Sequence, residues 1–222
     1  MSVDISGRFC YDCVQRPHGI GLYENLGWKV SAMKSHARLV RLVLCALFAA
    51  VLCICSSLSI PIGPIPFSMG IFAVMLCAVV LDWKSALTSV FVYLVLGLFL
   101  PIFSGGKTGV AAIPGPTGGY IWSYLLMVPI IAWIGGMGRK PIGEVIASVL
   151  GCVAAILVCY LCGTVQYSLF AGVGLKKALA VCVIPFAPYD LLKAILASLL
   201  GVSLRRILNR MGLQPDRPRE DD

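Results

Sequence analysis

The sequence predicts an all-α integral membrane protein of six transmembrane helices, and three observations carry that expectation. Of its 222 residues 59% are hydrophobic and only 13% charged, with a mean hydropathy of +0.92, whereas soluble domains run at roughly half apolar and a quarter charged. Apolar runs near the ~20 residues that cross a bilayer as helix alternate with short breaks of glycine, proline or charge. The basic residues behind the net charge of +8 sit at the ends of those runs. That is how topology signals are distributed, and without a basic patch interleaved with aromatics there is no nucleic-acid partner to infer.

Three segments follow. Residues 1–37 form a polar N-terminal tail, disordered or an overextended start, residues 38–210 the six-helix membrane domain, and residues 211–222 a charged C-terminal tail. The first 37 residues carry no apolar core of the kind a cleavable signal peptide needs. Cys10 and Cys13, with His18 downstream, have a zinc-type spacing, although a plain tail is the simpler account. Cys159 and Cys162 repeat the spacing inside an apolar run without a nearby histidine. There, as at Cys45, Cys53, Cys55, Cys77, Cys152 and Cys182, the thiol is expected to act as a small hydrophobe.

The first span is predicted over Leu39–Leu58, with Arg41 close enough to its end to snorkel outward. An uncharged loop, "SIPIGPIPF" (Ser59–Phe67), leads to the apolar run Ser68–Leu81. As a helix that run reaches only about 21 Å of a ~30 Å hydrocarbon core, so part of the loop must dip inward. Asp82 has the character of an N-cap beside interfacial Trp83 and Lys84, opening a third span to about Leu100. A second Gly/Pro-rich loop, Pro101–Thr117, precedes the fourth span, Gly119–Ile134, in which Pro129 is a kink point. The fifth span starts near Glu144, whose charge suits a helix N-terminus, and runs to about Phe170. After Gly172–Lys177 and a short apolar piece, "PFAPYDLLKAILASLLG" opens the sixth, ending at Arg205 and Arg206.

Six spans place both termini on one face. That face carries 14 basic residues, from Arg8 to Arg219, against Lys107, Lys176 and Lys177 on the other. Positive charge marks the cytoplasmic side, so both termini are expected there and both Gly/Pro-rich loops outside. Irregular backbone near membrane depth survives only when protein buries it or it lines a cavity. The two loops therefore read as a lid over an outward-facing pocket, with plain external turns as the alternative.

Within the spans Asp190 and Lys193 stand out, at i and i+3 on one helix face just after Pro188. Ionisable residues in a spanning helix cost about 2.5–3.5 kcal/mol each on insertion scales and by default mark a site. Side by side they suit a neutral polar ligand carrying both donors and a carboxylate. Thr164, Gln166 and Tyr167 either face the same cavity or tie helices together. Thr117, Gly118, Gly119 and Tyr120, from "PGPTGGYIW", are candidate ligand contacts, the glycines by letting backbone pack against a ligand or the other loop. Trp122 reads as interfacial belt. Lys107 is a further candidate toward an anionic group, although its "SGGKTG" setting is no nucleotide phosphate loop: Pro101 stands where that motif needs glycine. Ala46 and Ala50 make a small-x-x-x-small step on the first span, for internal packing or a partner. Enzyme chemistry finds little support, because both histidines, His18 and His36, lie in the tail.

"IPIGPIPFSMGIFAVML", "GLFLPIFSGGKTGVAAIPGPTGGYIW" and "FAPYDLLKAILA", in this order and spacing, closely resemble the BioY family, biotin-binding S components of energy-coupling factor (ECF) vitamin transporters. The resemblance covers about Arg38 to Arg210. It implies six helices in the bacterial cytoplasmic membrane and a biotin pocket covered by the loops between helices one and two and three and four. It also implies partners, a transmembrane coupling protein that topples the S component and a pair of ATP-binding-cassette ATPases, and no cofactor. Asp190 is implied to accept from the ureido N–H groups of biotin, Lys193 to make a second polar contact, and Ala46 and Ala50 to dock on the coupling protein. The chain departs from the family pattern where many members read "PFTLQ": it reads "PFSMG", with Gly70 in place of the glutamine.

Overall fold

The computed structural model describes residues 20–60, 66–138 and 140–213. The Cys10/Cys13/His18 arrangement, Arg139 and the end of the C-terminal tail lie outside them. The chain divides into two units, residues 1–40 and 41–222. A helix, α1 (Ile20–Ser57), begins inside the segment read from sequence as tail and continues through the first predicted span.

Beyond it come β1 (Ser59–Ile60), β2 (Phe67–Ser68), α2 (Gly70–Val80), α3 (Trp83–Phe99), α4 (Gly109–Ala112), α5 (Gly118–Gly136), α6 (Pro141–Ala171), α7 (Leu175–Cys182) and α8 (Ala187–Arg210). By length and composition Arg38–Ser57, α5 and α6 can cross a membrane, and α7 with α8, bent by 53° at their break, can make a fourth crossing. α2 and α3 are apolar but shorter. The 11 residues of α2 extend about 16 Å, shorter still than the sequence suggests. The first loop before it folds back as an antiparallel pair, Ser59 opposite Ser68 and Ile60 opposite Phe67.

Each helix boundary has a local cause. Pro141 sits in the first turn of α6, where its missing N–H costs nothing, and Gly172 ends that helix in the left-handed conformation at φ 64°. Asp82 does occupy the N-cap position of α3, but its side chain accepts from the Ser85 hydroxyl at 3.5 Å and makes no cap bond to backbone. Glu144, in the first turn of α6, meets Arg206 at 3.1 Å and Arg205 at 3.6 Å, clamping that end of α6 to the end of α8.

The most extensive packing in the molecule joins α5 to α6, followed by α2 against α8. Lipid tails offer no hydrophobic drive for helix association, so small residues and close backbones must supply it. A Cβ at Gly119 would fall on the Cys162 carbonyl, and one at Gly163 on the Tyr120 ring. Gly201 of α8 takes Val79 of α2 in the same manner, 2.6 Å from where a Cβ would stand. The core thus formed includes Val74, Met75, Val90, Met127, Val128 and Ile131, all nearly inaccessible.

Gly119→Ala is expected to destabilise the protein by about 1–3 kcal/mol, because the group the new Cβ strikes, the Cys162 carbonyl, is backbone. A lowered thermal midpoint in detergent checks it; an unchanged midpoint would show that α5 and α6 can separate freely.

Candidate functional site

A buried polar cluster lies among the apolar helices. Asp190, in the first turn of α8, is 2% exposed and Lys193 6%. Lys193 Nζ donates to Asp190 Oδ1 at 2.9 Å and to the Ser68 carbonyl at 2.9 Å, and it stands 3.8 Å from the centre of the Phe67 ring. From α6 the Tyr160 hydroxyl donates to the other carboxylate oxygen, Asp190 Oδ2, at 2.7 Å. Both oxygens of the acid are thus engaged, while each keeps lone-pair capacity toward a further donor.

The pair borders a cavity partly open to its surroundings, set between helices as small-molecule sites commonly are. Phe67 and Ser68 come from the first loop, Phe103 and Ser104 from the second, Tyr120, Ile121 and Tyr124 from α5, and Cys182 and Phe186 from the α7–α8 break. Seven of the 17 lining residues are aromatic. Phe67 stacks on Phe186 at 6.2 Å and meets Tyr189 edge-on at 5.6 Å. Tyr93 meets Phe103 edge-on at 5.5 Å and shares a 2.6 Å hydrogen bond with Ser56. Such a site can hold a flat or ring-shaped apolar body with N–H donors presented to Asp190.

The sequence model of the BioY family matches residues 31–210. This chain belongs to the BioY family. Its similar relatives include the biotin transporter BioY2 of Lactococcus lactis subsp. cremoris, 34% identical over 175 residues, covering 78% of this chain and 94% of the relative. The probable biotin transporter BioY of Pyrococcus horikoshii is 37% identical over 163 residues, covering 73% and 94%. Among solved structures, that of the S-component for biotin from an ECF-type ABC transporter superposes with a TM-score of 0.68 at 28% identity, covering 76% of this chain and 92% of that one.

In this BioY-family chain Asp190, Lys193, Tyr120 and Thr117 line the same cavity. Gly118, Gly119, Gln166 and Lys107 do not, and other work is visible for each. Gln166 Nε2 donates to the Ile113 carbonyl at 2.7 Å and to the Gly115 carbonyl at 3.0 Å, tying the second loop to α6. A side chain on Gly118 would strike that same carbonyl and the Gln166 amide, so Gly118 and Gly119 serve helix and loop contact. Lys107 is exposed, on a small turn closed by its bridge to Phe103. Ala46 and Ala50 are both exposed, leaving that face of α1 uncovered. Gly70 leaves room beside three hydroxyls: a Cβ there would lie 3.1 Å from Tyr124 Oη, 3.2 Å from Ser68 Oγ and 3.3 Å from Ser56 Oγ.

Sequence reasoning missed Tyr160, Phe67, Phe103 and Tyr93. Tyr160 carried the one usable signal, a phenol deep within an apolar run, away from any interface belt.

Lys193→Met leaves the Asp190 carboxylate buried and without its cation, and is expected to destabilise by about 3–5 kcal/mol. Adding Asp190→Asn should recover part of that loss. Thermal unfolding of both variants in detergent checks this, and a double variant no more stable than the single one would contradict it.

Proposed function

We propose that this chain is the high-affinity biotin-binding subunit, the S component, of an ECF-type vitamin uptake transporter, a transport subunit with no catalytic reaction of its own. The observation that carries it is the buried Asp190–Lys193 pair, oriented by Tyr160, on the wall of an aromatic cavity. Biotin is a fused cyclic urea and thioether ring with a carboxylate-ended aliphatic tail. Asp190 accepts from the ureido N–H groups, and the third N–H of Lys193 contributes a second polar contact. Phe67, Phe103 and Phe186 sandwich the ring system, with Tyr120 and Thr117 beside it. Buried polar groups that lose their ligand partner are costly, and that penalty is what discriminates against vitamins lacking a cyclic urea.

In this reading the membrane domain is residues 38–210, with six crossings in the bacterial cytoplasmic membrane, both termini cytoplasmic, and tails at residues 1–37 and 211–222. The basic end formed by Arg205 and Arg206 around Glu144 lies at the opposite ends of α6 and α8 from the loop-lined cavity, which supports the orientation. The loops of Phe67 and Phe103 close the pocket from outside; a bond from the Gly105 amide to Ser59 Oγ at 2.7 Å already joins them. No ATP-binding motif stands in the sequence, so energy comes from an ATPase pair through a coupling protein, for which the exposed Ala46/Ala50 face of α1 is the docking surface. No cofactor takes part.

Purified protein titrated by calorimetry is expected to bind biotin tightly, with thiamine, riboflavin and lipoate failing to compete. Asp190→Asn is expected to weaken biotin by about ten-fold or more, the loss of a charge-assisted hydrogen bond. Absence of biotin binding, or an Asp190→Asn variant indistinguishable from wild type, would sink the assignment.

A further inference from the structure

A groove between α3 and α5 takes no part in the ligand chemistry described above. Phe91, Val95 and Leu98 of α3 line it with Trp122 and Leu125 of α5, and Ile113 joins them from the second loop. Phe91, Val95, Leu98 and Trp122 are exposed, so the groove opens on the surface of the helices. Leu98 and Trp122 stand near the loop ends of α3 and α5 and Phe91 lies two turns further in, so it runs lengthwise from the second loop.

The groove shares a wall with the ligand cavity. Phe103 and Ile121, 1% and 6% exposed, line both, and each is a partition one side chain thick. Phe103 is fixed on the protein side: it lies over Gly97, where a Cβ would fall on its ring, and meets Tyr93 edge-on at 5.5 Å. Toward the groove its support depends on what fills the groove, because a side chain facing a gap loses its dispersion contacts there.

The chemistry of the groove selects the occupant. α3 and α5 are apolar helices of the membrane domain, so the medium at their exposed faces is hydrocarbon. Among the described residues lining the groove there is no charged or hydroxyl side chain. A vitamin or a lipid headgroup would leave its polar atoms unpaired there, at a cost. The one polar side-chain group on the lining is the Trp122 indole N–H, near the loop end, and tryptophan sits where bilayer hydrocarbon gives way to the polar interface. An apolar slot with a single donor at its interfacial end matches a lipid chain and the ester that carries it.

We propose that the α3–α5 groove holds one acyl chain of a glycerophospholipid, its ester beside Trp122, and that this chain backs Phe103 and Ile121 and completes the wall of the ligand cavity. The inference rests on the membrane-subunit reading and makes the bilayer a component of the site. By linkage, a chain that steadies the wall tightens the ligand, and bound ligand tightens the chain by the same factor.

Three full-length proteins test it: wild type, Val95→Phe, which fills the groove, and Val92→Phe, the same change at an exposed α3 position outside the groove. Each is extracted into detergent from bilayers of palmitoyl-oleoyl phosphatidylcholine or phosphatidylglycerol, and retained lipid is counted by native mass spectrometry. Wild type and Val92→Phe are expected to keep one phospholipid with either headgroup, and Val95→Phe none. In calorimetry, delipidated wild type should bind biotin about five-fold more weakly than the lipid-replete protein, while Val95→Phe should bind equally with and without lipid. Equal retention by Val95→Phe and wild type would overturn the site, as would retention of phosphatidylglycerol alone, the mark of a headgroup held by charge elsewhere. A wild-type dimer that Val95→Phe dissociates would overturn it too, since a second copy would then cover the face. Lipid retained without effect on biotin would overturn the coupling to the cavity. A wild type that keeps its lipid and binds no biotin would fail the biotin reading and the coupling together, while lipid counting, which uses no vitamin, still judges the groove.

Discussion

A carboxylate and an ammonium held out of water at Asp190 and Lys193 set the terms for everything around them. Such a pair survives burial only when geometry is good and its remaining valences are met. Three elements supply them: α6 brings the Tyr160 hydroxyl, the first loop brings the Ser68 carbonyl, and Phe67 offers the face of its ring to the ammonium. The requirement runs from α8 outward, so the position of the first loop is fixed by the charge it covers. This also explains a short α2: the chain must reach Ser68 above the lysine before helix can begin.

The second determinant is the close contact of α5 with α6. Glycines at 119 and 163 let the two backbones approach until the Tyr120 ring lies against α6, and Tyr124 and Tyr160 come to the same cavity from the two helices. Helix packing and the cavity wall are therefore one arrangement. Small residues draw the helices together, and the large residues one turn away are aimed by that approach. Ser123 adds a bond to the Cys159 thiol at 3.0 Å across the same seam, a polar tie between helices that lipid could not provide.

How much of this was legible depended on whether a residue's cost is local. Asp190 and Lys193 could be found because a charge inside an apolar run is anomalous wherever its neighbours lie. The membrane character, the short second helix and the positions of both loops followed from composition and length in the same way. Gly118 and Gly119 show the limit: sequence tells that a backbone must come close to something, and the contact turned out to be α6 and Gln166 in place of a ligand. Tyr160 and Phe67 were passed over because an aromatic among apolar residues costs nothing until its partner is known, and that partner is 30 residues away for Tyr160. Gln166 was left between facing the cavity and tying helices together, and its amide instead donates to carbonyls of the second loop. The start of α1 at Ile20 differs from the polar tail expected there, since propensity and period over that stretch gave no helical signal.

The tie made by Gln166 has one more consequence. It grips the carbonyl oxygens of Ile113 and Gly115, atoms that every amino acid possesses, and so it holds a shape without inspecting the side chains that trace it. The side chains along that strap, Pro114 exposed among them, are free to change while its path beside α6 stays the same.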